Sequence, residues 1–173
     1  MAAYDGGGIL GAAGHFTIDR CVISNNVAGY NSVGYGGGLY FQNGGGLVTN
    51  CVISSNLATD DIEEGGCIGG GMLITGDYAI IDCAITDNEA SWGDVGGLLL
   101  YRGRAIRCAI LGNHASPYSG GATAGLVLAQ GATAHECLIA GNYVQWGPGC
   151  GGVDVDRGAL ENCTIAHNRL MYS

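Results

Sequence analysis

The chain has 173 residues, a net charge of −9, 47% hydrophobic residues and 34 glycines. A chain of this length can bury a core as one domain without metal or disulfides. Collagen is excluded, because the chain has only two prolines and its glycines do not recur at every third position. All 6 basic residues are arginines, against 15 acidic residues, so we expect no nucleic-acid surface.

Hydropathy and the N-terminal residues address membranes and targeting. Apolar runs such as VGGLLLY at 95–101 are far shorter than the roughly 20 residues of a membrane span. The N-terminal MAAYDGGGIL lacks the basic and long apolar regions of a signal peptide. We therefore expect no transmembrane segment, and no signal peptide in the chain as given.

Two elements repeat along the chain. The first is glycine-rich, starting with GGGIL at 6–10, and its copies begin near Gly6, Gly36, Gly69, Gly96, Ala124 and Gly151. The second is CVISNN at 21–26, a Cys-x-Ile-x-x-Asn motif that begins at Cys21, Cys51, Cys83, Cys108, Cys137 and Cys163 and ends at Asn26, Asn56, Asn88, Asn113, Asn142 and Asn168. Successive copies lie 25 to 32 residues apart, which is typical of a solenoid.

The local period within each repeat predicts strands rather than helices. Apolar residues alternate, as in Cys21/Ile23 and Leu39/Phe41, and the glycine density disfavours helix. Each coil is predicted to contain a glycine turn, a short strand, a small turn, a second strand carrying Cys-x-Ile, an asparagine turn and a variable loop. We predict an all-β fold, a β-solenoid of about six coils, with residues 1–173 as a single domain.

Equivalent positions of stacked coils should form columns. The asparagine column should be a structural ladder of side-chain amides, and the isoleucine column should be core. The cysteine column shares its face with the isoleucines, so its thiols should pack in the core as reduced, small hydrophobic groups. Its long spacing does not match the pairs of a zinc site, and disulfides between adjacent coils remain the alternative. His15, His114, His135 and His167 form no column and are expected at the surface.

These motifs carry a family resemblance. The chain resembles the right-handed parallel β-helix, pectate-lyase-like superfamily, and within it the repeats of polymorphic outer-membrane and related bacterial surface proteins. Those repeats pair a Gly-Gly-x-Ile element with an aromatic-x-x-Asn element; here Gly37-Gly38-Leu39 and Ile23-x-x-Asn26 match, with isoleucine in place of the aromatic residue. The resemblance implies a single-stranded right-handed parallel β-helix and an extracellular or cell-surface location. It gives little information about activity, because one fold can serve many functions.

Polysaccharide lyases and hydrolases with this fold place aspartates, with lysine or arginine, outward on the first strand and in the preceding loops. By that resemblance the catalytic candidates here are Asp154, Asp156 and Arg157, all in the last coil. The other outward positions of this strand are apolar, and the chain has no lysine. These residues therefore favour a structural role over enzymatic activity.

The apolar outward positions form a predicted stripe. Its members are Leu10, Tyr40, Leu73, Leu99 and Val127. A contiguous apolar column marks either an interface with another protein surface or a place where a loop of the same chain lies over it.

The variable loops contain aromatic and acidic residues. Aromatic side chains that could stack on sugar rings are Tyr30, Tyr35, Trp92, Tyr118, Tyr143 and Trp146, with packing over the glycine turns as the alternative. A weak calcium candidate consists of Asp60, Asp61, Glu63 and Glu64, with a solvated acidic loop as the alternative. Apart from this calcium candidate, we expect no cofactor.

The ends of the chain are register-compatible, since joining them would create a loop about as long as the one between Asn26 and Gly36. We expect either a segment of a longer solenoid or subunits that stack head to tail into fibres. The first functional hypothesis is a non-enzymatic extracellular structural or adhesive module, whose partner is a second copy or further coils of a parent protein. The second is a carbohydrate-active β-helix that binds or cleaves an acidic polysaccharide.

Overall fold

The computed structural model describes residues 6–29, 33–60, 66–117 and 120–171. In these ranges the chain forms strands and no helix, and hence no helix that could cross a membrane. The strands of the first three coils are β1 (Ile9–Gly11), β2 (His15–Asp19), β3 (Val22–Ser24), β4 (Val27–Ala28), β5 (Leu39–Phe41), β6 (Gly45–Thr49), β7 (Val52–Ser54), β8 (Leu57–Thr59), β9 (Cys67–Ile68), β10 (Met72–Ile81), β11 (Ala84–Thr86) and β12 (Glu89–Ser91). Those of the next three are β13 (Gly93–Val95), β14 (Leu98–Ile106), β15 (Ala109–Leu111), β16 (His114–Ser116), β17 (Ala122–Thr123), β18 (Leu126–Ala129), β19 (Thr133–His135), β20 (Leu138–Ala140), β21 (Tyr143–Val144), β22 (Gly149–Cys150), β23 (Val153–Asp156), β24 (Ala159–Glu161), β25 (Thr164–Ala166) and β26 (Arg169–Leu170).

The strands stack as parallel rungs in four sheets. The first sheet carries the glycine-element strands in the order β1-β5-β10-β14-β18-β23, together with β2, β6, β19 and β24. The second sheet is β3-β7-β11-β15-β20-β25, the third is β4-β8-β12-β16-β21-β26, and the fourth is β9-β13-β17-β22. The predicted β-solenoid of about six coils is therefore confirmed.

The repeats stack in the register that the motifs predict. Ile53 pairs with Ile85, and Ile85 with Ile110, so the isoleucines of the second sheet form one buried column. Leu39 pairs with Met72 in the first sheet in the same way. Both columns belong to a single core cluster that runs through all the coils.

Two single-residue corners bound each strand of the second sheet. The residue before each cysteine of the motif has a positive φ of 51° to 55°, and these residues are Arg20, Asn50, Asp82, Arg107, Glu136 and Asn162. The residue before each ladder asparagine is also left-handed, with φ of 54° to 67°, in Asn25, Ser55, Asp87, Gly112, Gly141 and His167. Left-handed residues turn the chain sharply, which is why each of these strands is only three residues long.

The last glycine of each glycine element, from Gly8 to Gly125, lies against the next coil. A Cβ on Gly97 would lie 2.4 Å from the carbonyl oxygen of Gly125 and 3.0 Å from Nδ2 of Asn113. Only glycine lets the strand approach the asparagine ladder this closely. The two repeated elements are therefore structurally coupled.

The asparagine ladder is confirmed. Nδ2 of Asn113 donates to Oδ1 of Asn142 and to the carbonyl of Ile85, both at 2.9 Å, and the backbone N–H of Asn113 donates to the same Oδ1 at 2.9 Å. The same three bonds recur for Asn56, Asn88 and Asn142. The interior amides are fully buried, so the ladder satisfies polar groups that burial would otherwise leave without partners.

The details of each coil differ from the prediction. The cysteine lies one residue before the second-sheet strand rather than within it, because the left-handed corner immediately precedes it. The predicted small turn contains an additional strand, such as β2 or β6, and the residues after each asparagine form a strand of the third sheet. Part of the predicted variable loop forms the fourth sheet. These strands are short and carry mixed polar and small residues, so they lack a clear alternating pattern.

Candidate functional site

The outer face of the third sheet carries a row of polar and aromatic side chains. The residue after each ladder asparagine occupies this row, in the order Val27, Leu57, Glu89, His114, Tyr143 and Arg169. The next residue in the first five of these strands, such as Ala90 or Ala115, points inward and is buried. Strand alternation therefore forces the row to face outward.

His114 contacts Glu89 of the preceding coil and Tyr143 of the following coil. Nδ1 of His114 lies 3.7 Å from Oε1 of Glu89, and the imidazole stacks on the Tyr143 ring with centroids 4.5 Å apart. The adjacent imidazole of His114 lowers the pKa of Glu89, against the opposing effect of burial. The Nε2 atom of His114 is buried and has no hydrogen-bond partner among the described residues.

This finding corrects the expectation of four surface histidines. The side chain of His114 is only 13% exposed, because Glu89 and Tyr143 lie on either side of it. An imidazole held between a carboxylate and a phenol ring has a fixed orientation. Its Nδ1 faces Glu89 and its Nε2 is buried, so the imidazole serves to hold the Glu89 carboxylate and the Tyr143 ring in place.

A cavity of about 460 Å³ adjoins Tyr143 at the end of this row. Its walls are Gly141, Tyr143, Gln145, His167, Arg169 and Met171. The guanidinium of Arg169 and the amide of Gln145 bring hydrogen-bonding groups beside an aromatic ring. Such a combination suits a polar ligand that also has an apolar face.

A second cavity, which we call the tryptophan cleft, lies beside the same sheet. It measures about 360 Å³ and is lined by Ser91, Trp92, Ser116, Pro117 and Trp146. Ser91 and Ser116 pair in register on adjacent coils, and the backbone N–H of Gln145, which precedes Trp146, donates to the carbonyl of Ala115 in the preceding coil. Trp92 and Trp146 are thus two coils apart, or about 10 Å at the usual strand spacing.

Of the predicted sugar-stacking aromatics, the structure brings Trp92 and Trp146 into the tryptophan cleft and places Tyr143 in the neighbouring row. Tyr35 lies elsewhere: its ring packs 5.9 Å from that of Tyr40, over the first sheet. Tyr35 therefore packs on side chains of the strands that follow the glycines. Tyr30 and Tyr118 lie outside the described residues.

The catalytic candidates lie on a different sheet from the cleft. Asp154 and Asp156 are exposed on β23, in the last coil of the first sheet. Asp156 pairs with the adjacent Arg157 at 3.2 Å, and this contact raises the pKa of the guanidinium. None of the three lines the cavity beside Tyr143 or the tryptophan cleft.

The predicted apolar stripe is partly covered by the chain itself. Leu73 and Leu99 are only 4% and 5% exposed, because they form a cluster with Val95, against which Tyr35 and Ile68 pack. Tyr40 and Val127 are half-buried at the edges of this cluster, and Leu10 is exposed. A covering segment, rather than an open interface, therefore accounts for the middle of the stripe.

The acidic loop is described only in part. Asp60 is buried, and its charge contributes to raising the pKa of Cys67, although burial of the thiol is the larger cause. Asp61, Glu63 and Glu64 lie outside the described residues. In the ranges that are described, no three His, Cys, Asp or Glu side chains converge on a point that could hold a metal.

The comparison with protein families matches residues 7–172 to the model for the right handed beta helix region. The chain belongs to this right-handed β-helix family. The match covers nearly every coil, so the predicted right-handed parallel β-helix is confirmed. Searches of curated proteins and of solved structures return no match. Membership in the right-handed β-helix family specifies the fold and leaves the activity to be argued from the site.

Sequence reasoning missed the row of Glu89, His114 and Arg169. The signal was present, since each residue directly follows a ladder asparagine. The residues differ in type from coil to coil, so they do not read as a column until the register is known. Their contact arises from stacking and from no local motif.

Proposed function

We propose that the protein is a non-enzymatic structural and adhesive module outside the cell, in which a rigid β-helix presents the tryptophan cleft to a polysaccharide. The observation that carries this proposal is the shared cavity of Trp92 and Trp146. Two indoles that line one cavity from coils about 10 Å apart can stack on sugar rings of one extended chain. Ser91 and Ser116 supply hydroxyls between them for hydrogen bonds to sugar hydroxyls.

The scaffold supports binding by a preformed site. Residues that flank the cleft belong to strands bonded in register to neighbouring coils, and Ala90 and Ala115 beneath it are fully buried. A rigid platform loses little entropy when it binds, which favours adhesion. The extracellular location is part of the proposal, and its support is the resemblance to bacterial surface-protein repeats.

The placement of the carboxylates supports a role without catalysis. Asp154 and Asp156 lie on the first sheet, and Asp156 is paired with Arg157. A general base must lie within hydrogen-bond reach of the proton that it removes. A sugar chain held between Trp92 and Trp146 would lie beside the third sheet, whereas these carboxylates lie on the first sheet.

The test is retention of the chain on a panel of immobilised polyuronates and neutral polysaccharides, with product analysis in the presence and absence of calcium. We expect retention without new chain ends. Trp92→Ala and Trp146→Ala should each weaken retention at least tenfold, whereas Val22→Ala, an exposed change on the second sheet, should not. Release of unsaturated products would establish cleavage instead, and retention that survives both tryptophan changes would exclude the cleft.

A second candidate function is stacking with further coils, either of another copy or of a longer parent protein. It is favoured by the polarity of the asparagine ladder, in which each side chain donates to the following coil. At the Asn26 end, the carboxamide oxygen accepts no hydrogen bond from a described residue; at the other end, Asn168 donates only to Ile139. A donor face and an acceptor face of matching register suit head-to-tail contact.

Sedimentation over a wide concentration range tests self-stacking. We expect the apparent mass of the chain to rise with concentration, and Ile165→Glu to keep it monomeric, because Ile165 is exposed on the last described coil. Leu138→Glu, at an exposed lateral position of an interior coil, is the matched control. A chain that is monomeric at every concentration would exclude self-stacking and leave only contact with a parent protein.

A further inference from the structure

The six motif cysteines form a column of thiols with one repeated geometry. Each Sγ contacts the carbonyl oxygen two residues before it, at 3.0 to 3.4 Å, in Cys21, Cys51, Cys83, Cys108, Cys137 and Cys163. From Cys51 onward, each Sγ also lies 3.4 to 3.6 Å from a carbonyl oxygen of the preceding coil. Identical partners require the same side-chain rotamer in every coil.

A shared rotamer makes the spacing of the sulfur atoms equal to the spacing of the coils. Stacked strands lie about 4.8 Å apart. Metal–thiolate bonds are about 2.3 Å long, so two of them in line span about 4.6 Å. One ion midway between two neighbouring sulfurs would therefore meet both at bonding distance.

We propose that neighbouring cysteines of this column bind a thiophilic, closed-shell monovalent ion such as Cu⁺ or Ag⁺ in linear two-sulfur coordination. Soft sulfur ligands select such ions over Mg²⁺ or Ca²⁺. Zinc is disfavoured because it requires four ligands in a tetrahedron, whereas each interval of the column offers two sulfurs. Each proposed site has two ligands. The described ranges contain no group of three or more His, Cys, Asp or Glu side chains that could hold a metal.

The binding step balances in charge and protons. The ion bonds to both sulfurs, one S–H bond breaks, and the proton leaves to solvent. The product contains one thiolate, one neutral thiol and one monovalent cation, so its net charge is zero. Neutrality matters because the sulfurs of Cys51, Cys83 and Cys108 lie in an almost fully buried core, where an uncompensated charge is costly.

Access begins at Cys21. This cysteine is exposed and lines an open cavity of about 350 Å³ together with Gly8, Ile9 and Val22. Its backbone N–H donates to Sγ of Cys51 at 3.4 Å, so the second sulfur lies directly beneath the first coil. The Cys21–Cys51 interval is the first site that an ion from solvent can occupy.

Titration of the reduced chain with Ag⁺ in oxygen-free buffer, followed by native mass spectrometry in an excess of a monothiol, tests this proposal. We expect the wild-type chain to retain Ag⁺, and Cys21→Ser to retain one ion fewer. Cys150→Ser is the matched control, since Cys150 lies in the fourth sheet, outside the column. Circular dichroism confirms that each variant keeps the strand signal.

The outcomes separate cleanly. A wild-type chain that holds no Ag⁺ against the monothiol overturns the proposal, as does equal retention by wild type and Cys21→Ser. Equal loss in Cys150→Ser would show binding that does not depend on the column and would also overturn it. X-ray absorption at the silver edge should show two sulfur neighbours, and a shell of three or four ligands contradicts linear coordination.

Discussion

Asn88 is bonded twice to the same oxygen atom of Asn113: its backbone N–H and its Nδ2 both donate to Oδ1 of Asn113 at 3.0 Å. Nδ2 of Asn88 also donates to the carbonyl of Ile53 in the preceding coil at 2.9 Å. One side chain thus connects three coils. Because the carboxamide is fully buried, each of these bonds replaces one that water cannot supply.

Asn113→Ala should destabilise the chain strongly. It removes the acceptor of Asn88 and the donors to Asn142 and Ile85, leaving buried groups without partners. At about 1–3 kcal/mol for a buried unsatisfied group, the unfolding free energy should fall by about 3 kcal/mol or more. Asn168→Ala, at the last described coil, is the control and should cost less, because that amide is only partly buried. Equal losses in denaturant unfolding would contradict a cooperative ladder.

Gly97→Ala should destabilise the chain through a steric clash. The new Cβ would lie 2.4 Å from the Gly125 carbonyl oxygen, which belongs to a backbone that cannot move independently of its coil. Gly120→Ala is the matched control, since a Cβ there meets nothing within 4 Å. We expect a melting temperature several degrees lower for Gly97→Ala alone. A Gly97→Ala chain as stable as Gly120→Ala would contradict the close approach of the two coils.

The contact between Glu89 and His114 should make stability depend on pH. The folded-state pKa of Glu89 lies below its ordinary value of 4.5, so the folded state binds fewer protons than the unfolded state. Its contribution is therefore present above about pH 4.5 and lost as pH falls through the lowered folded value.

Melting temperatures of wild type and Glu89→Gln between pH 7 and pH 3 measure this effect. The wild type should be the more stable at pH 7, and the difference should shrink below pH 4.5. Asp154→Asn, an exposed carboxylate without an ion pair among the described residues, should show a smaller difference. A gap between wild type and Glu89→Gln that widens toward low pH would contradict the assigned contact.

The cysteines should differ widely in reactivity. Cys21 is exposed, whereas burial, followed by the charges of Asp60 and Asp94, raises the pKa of Cys67 to about 12. The thiolate is the reactive form, so Cys67 has almost none of it at pH 8. Timed alkylation with peptide mass mapping should modify Cys21 first and Cys67 only on unfolding. Early modification of Cys67 would contradict its placement in the core.

The sequence predicts the stacked columns of cysteine, isoleucine and asparagine well, and the contacts between surface side chains poorly. Cys51, Ile53 and Asn56 recur in type because each equivalent position meets the same neighbours, so their repetition reveals the stacking directly. The left-handed corners cannot be recognised from the sequence, because arginine, asparagine, aspartate and glutamate all occupy them. Likewise, the contact of Glu89 with His114 and the cover of Tyr35 over the first sheet depend on register and loop paths that no local pattern encodes.

Tryptophan fluorescence tests the proposed adhesive face most directly, because the chain has only two tryptophans and both line the cleft. A polysaccharide that retains the chain should change the emission in a saturable way, since stacking removes water from both indole rings. Trp92→Phe and Trp146→Phe should each keep part of the change, reporting the two ends of the cleft separately. A polysaccharide that binds the chain while leaving the emission of both tryptophans unchanged would contradict the proposed site.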